Sequence, residues 1–321
     1  MNIAYIFLMV IIMMANRNYA QETESWPEQV KEITYFTPID SSLQPALFYD
    51  SGSQTSRPLL VALHTWSNDY RQSGSIPYAR WCIENDWLFI HPDFRGANDH
   101  PAACGSPLAM ADIEAAVHWV KDNYALDTSR IYLAGTSGGG MAALLAAALY
   151  PDLWTAVSAW VPIADLAAWY EEGLTRDNRY PQMIRLSCGG VPGESDEIDR
   201  QYALRSPITH LSGARGVTMD INAGIHDGHS GSVPVSHTLR AFNTVAAAND
   251  QLTEEQIDYF VREEKVPPDL VEPLQDASYG EKIPLFRRQS GNTRVTIFEG
   301  GHEIVFEAAL QWLAAQRGSK D

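Results

Sequence analysis

The sequence predicts an α/β fold: a mostly parallel central sheet with helices on both faces and a small cap insertion. Two patterns carry this. Short, continuously apolar runs recur along the chain, as expected of strands covered on both faces. Between them lie segments with apolar residues at helical spacing, and strand–helix alternation implies a parallel sheet. A strand running into a glycine-rich turn and then a helix, at 131–145, is the third and most informative feature.

The strand runs are Leu59–Leu63, Trp87–Ile90, Ile131–Ala134 and, near the end, Val295–Phe298. Val217–Asn222 reads as the penultimate strand. Ile113, Ala116, Val117 and Val120 fall at i, i+3, i+4, i+7, one face of a helix. Phe306, Ala309, Leu310 and Leu313 repeat that spacing. Met141–Leu149 is apolar all round and should be buried on every side. Two stretches break the rhythm. Residues 165–215 are polar and interrupted by Gly189-Gly190 and Pro192-Gly193, and read as an irregular cap. Residues 252–279 read as a second insertion, opened by the capping-box spacing Thr253-Glu254-Glu255-Gln256 and stopped at Pro267-Pro268. The expected organisation is a leader over 1–20 and a single domain over 21–321.

Composition narrows the function. Hydrophobic residues make up 45% and charged residues 20% of the 321 residues, which excludes a disordered chain. The net charge of −17 argues against a nucleic-acid backbone or an anionic membrane as partner. Ile3–Ala15 is apolar but too short to span a bilayer, and a polar break and Tyr19-Ala20-Gln21 follow it. This is the layout of a secretory signal cleaved after Ala20, so a periplasmic or secreted protein is expected; an uncleaved anchor is the alternative. Export would expose Cys82, Cys104 and Cys188 to oxidising conditions, so one disulfide with one thiol left over is expected, its pairing open.

The chemistry starts at Gly135-Thr136-Ser137-Gly138-Gly139, a G-x-S-x-G between strand and helix. In that context a serine sits on a strained turn, small neighbours let strand and helix approach, and the helix N-terminus offers free N–H groups. A phosphate-binding loop would need a lysine that is absent here. Ser137 is therefore the candidate nucleophile and Gly138 N–H a candidate oxyanion donor. A hydroxyl needs a base. Among His210, His226, His229, His237 and His302, which follow Ser137, His302 is best placed, in Gly300-Gly301-His302-Glu303 straight after a strand. Asp227, after the penultimate strand, is the candidate that orients it. Asp165 is second choice, and Asp220 lies within the strand. His226, Asp227 and His229 lack a metal-site pattern, so no metal is expected. The second oxyanion donor should come from His64-Thr65-Trp66-Ser67: the N–H of Trp66 or of Thr65, with Trp66 assigned in the mechanism. His64 itself reads as structural.

These residues resemble the α/β-hydrolase superfamily and, more narrowly, prolyl-oligopeptidase-like serine hydrolases, over roughly 45–316. The markers are Leu63-His64, Pro92-Asp93-Phe94-Arg95-Gly96, the Ser137 elbow, Asp227 followed by Val233-Pro234, and Gly301-His302-Glu303. Peptidases of that family carry a β-propeller ahead of the hydrolase domain. The stretch before residue 45 is too short for one, which favours an esterase. His64-Thr65-Trp66-Ser67 and Gly231-Ser232-Val233-Pro234 are also similar to secreted bacterial carbohydrate esterases, including serine-type pectin methylesterases. The resemblance implies two-step acyl transfer without a metal or organic cofactor, on an esterified carbohydrate. A peptidase or acylaminoacyl hydrolase is the alternative. Trp66, Trp160 and Trp169 are expected near the pocket mouth, Trp160 and Trp169 as sugar-binding candidates, with Arg95 and Arg71 as candidate partners for a uronate carboxylate.

Overall fold

The computed structural model describes residues 25–318. The first half of the chain contains β1 (Lys31–Thr37), β2 (Ser42–Tyr49), β3 (Arg57–Leu63), α1 (Ile76–Glu84), β4 (Leu88–Pro92), α2 (Pro107–Asn123), β5 (Leu126–Thr136) and α3 (Gly138–Leu149). It continues through β6 (Ala156–Trp160), α4 (Leu166–Thr175), α5 (Tyr180–Cys188), α6 (Asp196–Arg205), β7 (Met219–Gly224) and α7 (Val235–Val245). The last elements are α8 (Glu254–Glu263), β8 (Pro284–Ser290), β9 (Thr293–Phe298) and α9 (Phe306–Ala315). The strands form one sheet in the order β1-β2-β4-β3-β5-β6-β7-β9-β8. Its interior pairs, from β4/β3 through β7/β9, are parallel. Antiparallel hairpins close both ends: β1/β2, docked antiparallel on β4, and β8/β9.

The period of two along a strand divides the core. In β3, Leu59, Val61 and Leu63 pack with Ile113 and Val117 of α2 and with α3. Leu60 and Ala62 turn the other way, onto Ala79 and Cys82 of α1 and Leu310 and Leu313 of α9. Every β3 residue is buried, which explains the uninterrupted apolar run. Parallel alignment brings the carboxyl ends of β3, β5, β7 and β9 to one rim, where loops from distant parts of the chain meet.

The expected strands and helices are present, with shifted boundaries: the penultimate strand is Met219–Gly224 rather than Val217–Asn222. α3 is buried from Gly138 to Ala147, but Leu149 at its end is 43% exposed. The polar stretch over 165–215 is not irregular. It folds as α4, α5 and α6, which surround a small cluster of Leu166, Trp169, Tyr170, Ile184, Cys188 and Tyr202. α8 begins with the Thr253/Gln256 capping box. It ends at Glu263, with Glu264 left-handed at φ 51°, before the prolines are reached. Cys82, Cys104 and Cys188 are buried free thiols, against the expected disulfide. Burial pushes all three thiols up, Cys188 to about 12. The expected leader lies outside the described residues. Among those residues, no helix is long and apolar enough to cross a membrane.

Candidate active site

Ser137 follows β5 directly, at φ 59° and ψ −119°. A non-glycine residue there costs about 1–3 kcal/mol and persists only when its surroundings impose it. Its N–H donates to the Trp160 carbonyl at the end of β6, 2.8 Å away, and its carbonyl accepts from Met141 N–H at 2.9 Å. The motif glycines make the turn possible: a Cβ on Gly135 would stand 2.2 Å from the Gly139 carbonyl oxygen.

His302 lies on the loop after β9 and Asp227 on the turn after β7. His302 Nδ1 is 2.7 Å from Asp227 Oδ2, and its Nε2 is 2.8 Å from Ser137 Oγ. Asp227 is 2% exposed, and its Oδ1 accepts from the N–H groups of Gly228 (3.0 Å) and Val233 (3.2 Å). With Nδ1–H donating to that fixed carboxylate, Nε2 is the acceptor for the Ser137 hydroxyl. The approach is close enough to exclude a side chain at Gly231, whose Cβ would sit 2.2 Å from Asp227 Oδ1 and 2.6 Å from His302 Cβ.

The two loops are tied together. The N–H groups of Ile225 and His226 donate to the carbonyls of Phe298 and Gly300. Glu303 accepts from Gly301 N–H and from Lys282 Nζ. Partial burial opposes its ionisation, but Lys282 and that N–H outweigh burial and hold the carboxyl below its ordinary range. His226 is held between Glu264 (2.7 Å) and Glu299 (2.8 Å), which joins the second insertion to the Asp227 turn. Among the described residues no group of three or more His, Cys, Asp or Glu could hold a metal ion.

On the opposite flank, a Cβ on Gly138 would lie 2.6 Å from the backbone N and Cα of Trp66, so these two backbones almost touch. The Thr65 N–H is occupied: it donates to Gln72 Oε1 at 3.0 Å, which also accepts from the Thr65 hydroxyl. Neither Trp66 N–H nor Gly138 N–H has an acceptor among the described residues. Of the two, Trp66 keeps the free N–H beside Gly138, because Gln72 occupies that of Thr65. Asn98 N–H holds the Trp66 carbonyl at 2.8 Å. An amide such as Gln72 forms no motif and carries no charge, so nothing in the sequence singled it out. His64 is fully buried, stacked on Phe94 at 4.0 Å, its ring nitrogens against the Thr65 and Asp93 carbonyls, as a structural histidine would be.

The other candidates lie elsewhere. Arg95 is not at the mouth: its guanidinium binds Asp112 at 2.6 Å and Asp40 at 2.7 Å, leaving nothing for a uronate. Arg71 forms an exposed pair with Glu32 and stacks over Tyr70. The Trp160 ring is fully buried beside Tyr279 and Phe298, so only its carbonyl serves the site. Trp169 is 1% exposed; its Nε1 donates to the Ser232 carbonyl and its ring meets Trp66 edge-on at 4.7 Å. It is a cap-packing residue that buttresses Trp66, not an open stacking platform. Asp165 caps α4, accepting from Ala167 and Ala168 N–H, and Asp220 pairs with Arg294.

The fold is that of the α/β-hydrolases. It is similar to an acylaminoacyl peptidase solved with Z-Gly-Gly-Phe-chloromethyl ketone, with a TM-score of 0.59 at 11% identity over 91% of this chain and 42% of that one. A thermostable esterase matches with a TM-score of 0.52 at 13% identity, over 90% of this chain and 63% of the other. Residues 108–259 match the prolyl oligopeptidase family. In sequence the chain is similar to acetylxylan esterase A of Emericella nidulans, 24% identical over 47% of this chain and 52% of the relative. Feruloyl esterase B of Thermothelomyces thermophilus is 25% identical over 42% and 49%. The chain spans about half the length of the curated relatives it matches.

Proposed function

We propose that the protein is a serine carboxylic-ester hydrolase acting on esterified carbohydrate, with Ser137 as nucleophile, His302 as general base and acid, and Asp227 as the group that orients His302. The observation that carries this reading is the continuous hydrogen-bonded line from Asp227 through His302 to Ser137 Oγ, beside two unoccupied N–H donors. Ser137 attacks the ester carbonyl as His302 Nε2 accepts its proton. Trp66 and Gly138 N–H groups stabilise the oxyanion, an effect worth roughly 3–4 kcal/mol per donor where one has been removed. His302 then protonates the leaving alcohol, and water repeats the sequence to release the acid.

Similarity to an acetylxylan esterase and a feruloyl esterase supports carbohydrate esters as the substrate class. Pectin methyl esters and acetylated polysaccharides are the two candidates the sequence raised. The peptidase-type structural relatives keep an acylaminoacyl hydrolase as the second reading. A periplasmic or secreted location fits a polysaccharide substrate and the apolar N-terminal run.

Purified protein assayed on acetylated xylan, methyl-esterified pectin and an aminoacyl chromophore tests the proposal. Acetate or methanol release that Ser137→Ala abolishes is expected. Cleavage of the aminoacyl compound alone would replace it with the second reading.

A further inference from the structure

A carbohydrate ester can carry its sugar on either side of the scissile bond. In a methyl uronate the sugar is the acyl half and methanol leaves; in an acetylated sugar the acyl half is small and the sugar leaves. The two flanks of Ser137 differ in a way that bears on this.

The proton taken by His302 must reach the leaving oxygen, so the alcohol half lies on the His302 side. A cavity of about 520 Å³ opens there, bordered by His302, Thr65, Asn68, Gln72 and Ser73. Its polar wall is prearranged: Gln72 Nε2 donates to Ser75 Oγ at 2.7 Å, and Asn68 Nδ2 to Thr65 Oγ1 at 2.8 Å. That leaves Asn68 Oδ1 and Ser73 Oγ without a protein partner among the described residues, both on exposed residues at the rim. Tyr78 and Phe306, which also line the cavity, meet edge to face at 4.8 Å. Tyr78 is 2% exposed, so the accessible apolar part of the lining is the half-buried Ile304 and Phe306. With the free oxygens at the rim it suits a polyhydroxylated ring, whose edges hydrogen-bond while its faces are apolar. The flank where α3 meets the cap is the reverse. Trp66, Met141, Trp169 and Val233 are each at most 2% exposed and form one closed apolar cluster. That wall suits a small acyl group; Arg95 is held by Asp112 and Asp40, and Arg179, at the cap edge over Tyr180, donates to Ser67 Oγ at 3.0 Å.

We propose that the groove beside His302 is the subsite for a sugar alcohol, and that the substrate is a small acyl group esterified to a sugar hydroxyl, not an alkyl ester of a uronic acid. This rests on the esterase reading above. The acyl carbon–sugar oxygen bond breaks as the Ser137 Oγ–acyl bond forms, and the Ser137 proton passes through His302 Nε2 to the sugar oxygen. Water then releases the acyl group as free acid, regenerating Ser137.

The test compares kcat/KM of the full chain on O-acetylated xylo-oligosaccharide, 4-nitrophenyl acetate and a methyl-esterified oligogalacturonide. The two acetates share an acyl half and differ in the alcohol. In Asn68→Ala/Ser73→Ala the ratio of sugar-acetate to aryl-acetate kcat/KM should fall about tenfold, mostly through KM, as loss of one or two hydrogen bonds requires. Ser73→Trp, which fills the groove from its rim, should lower the same ratio further, and Ser73→Thr in the Asn68-intact protein should largely preserve it. A ratio that neither Asn68→Ala/Ser73→Ala nor Ser73→Trp moves overturns the groove assignment. Methanol release from the uronate ester without acetate release from the sugar overturns the placement of the sugar. Wild-type protein inactive on all three esters overturns the esterase reading, and the groove's role with it.

Discussion

Strand β7 and the turn after it carry two aspartates, both facing a partner from β9 or the loop beyond it. Asp220, inside the strand and fully buried, is held by Arg294 Nε at 2.6 Å and Nη2 at 3.3 Å. Asp227, in the turn, is held by His302 Nδ1 at 2.7 Å. Burial and distance barely differ; the partner does. A guanidinium keeps its charge at every accessible pH and, with both carboxylate oxygens occupied, closes the pair on itself. An imidazole has a second nitrogen, and His302 directs it at Ser137. The same reasoning separates Arg95–Asp112–Asp40, a structural clamp between the β1–β2 turn and α2, from a ligand-binding arginine. A buried acid becomes useful to a reaction when its partner can both titrate and reach something else.

Paired substitutions test the contrast. Asp227→Asn preserves shape but removes the charge and favours the wrong imidazole tautomer, so kcat should fall by about 10⁴-fold with the protein still folded. Asp220→Asn should leave the rate within severalfold and instead destabilise the fold by about 3–5 kcal/mol in denaturant titration, because Arg294 is left without its counter-charge. Equal rate losses in the two variants would erase the distinction. Arg95→Ala should likewise cost about 3 kcal/mol through the stranded Asp112 carboxylate, with KM for any uronate ester unmoved; a raised KM would restore Arg95 to the binding site.

The smallest effect concerns His226. Hydrogen bonds that its ring N–H groups donate to Glu264 and then Glu299 raise its pKa above that of an ordinary histidine. A raised folded-state pKa adds stability that is fully present below about pH 6.5 and is lost as pH rises through the folded value. The Tm deficit of His226→Gln should therefore be greatest in acid and close as the solution becomes alkaline. The group is more than a third exposed, so the shift should be modest and shrink in high salt. A deficit that grows with pH would contradict the assigned pairing.

How much of this could be read from residues alone depended on how local each constraint is. The Ser137 elbow was legible because its signature is local, a serine between glycines where a strand runs into a helix, although only Gly135 is pressed by a near neighbour while Gly138 and Gly139 are pressed by Trp66 and Leu63 from far along the chain. The interior strands were legible because a doubly covered strand must be apolar throughout, as β3 is. The edge hairpins were less so, since Lys31–Thr37 and Pro284–Ser290 each expose part of their length. The cap helices were hidden because their apolar residues form a cluster only when α4, α5 and α6 close over Trp66. Arg95 was misassigned because its partners Asp40 and Asp112 come from elsewhere in the chain. Trp160 was placed correctly along the chain but not in space: it ends β6 at the rim, yet its ring turns into the core with Phe298. Gln72 was invisible to any argument from charge or motif, although it occupies the Thr65 N–H and leaves that of Trp66 free.

The central claim is that Ser137 is made reactive by His302. Labelling with a fluorophosphonate followed by peptide mass spectrometry tests it directly. A single adduct on the peptide containing Ser137, lost in Ser137→Ala and strongly slowed in His302→Ala, is the expected result. An adduct on another serine, or labelling of Ser137 at an undiminished rate without the imidazole, would contradict it.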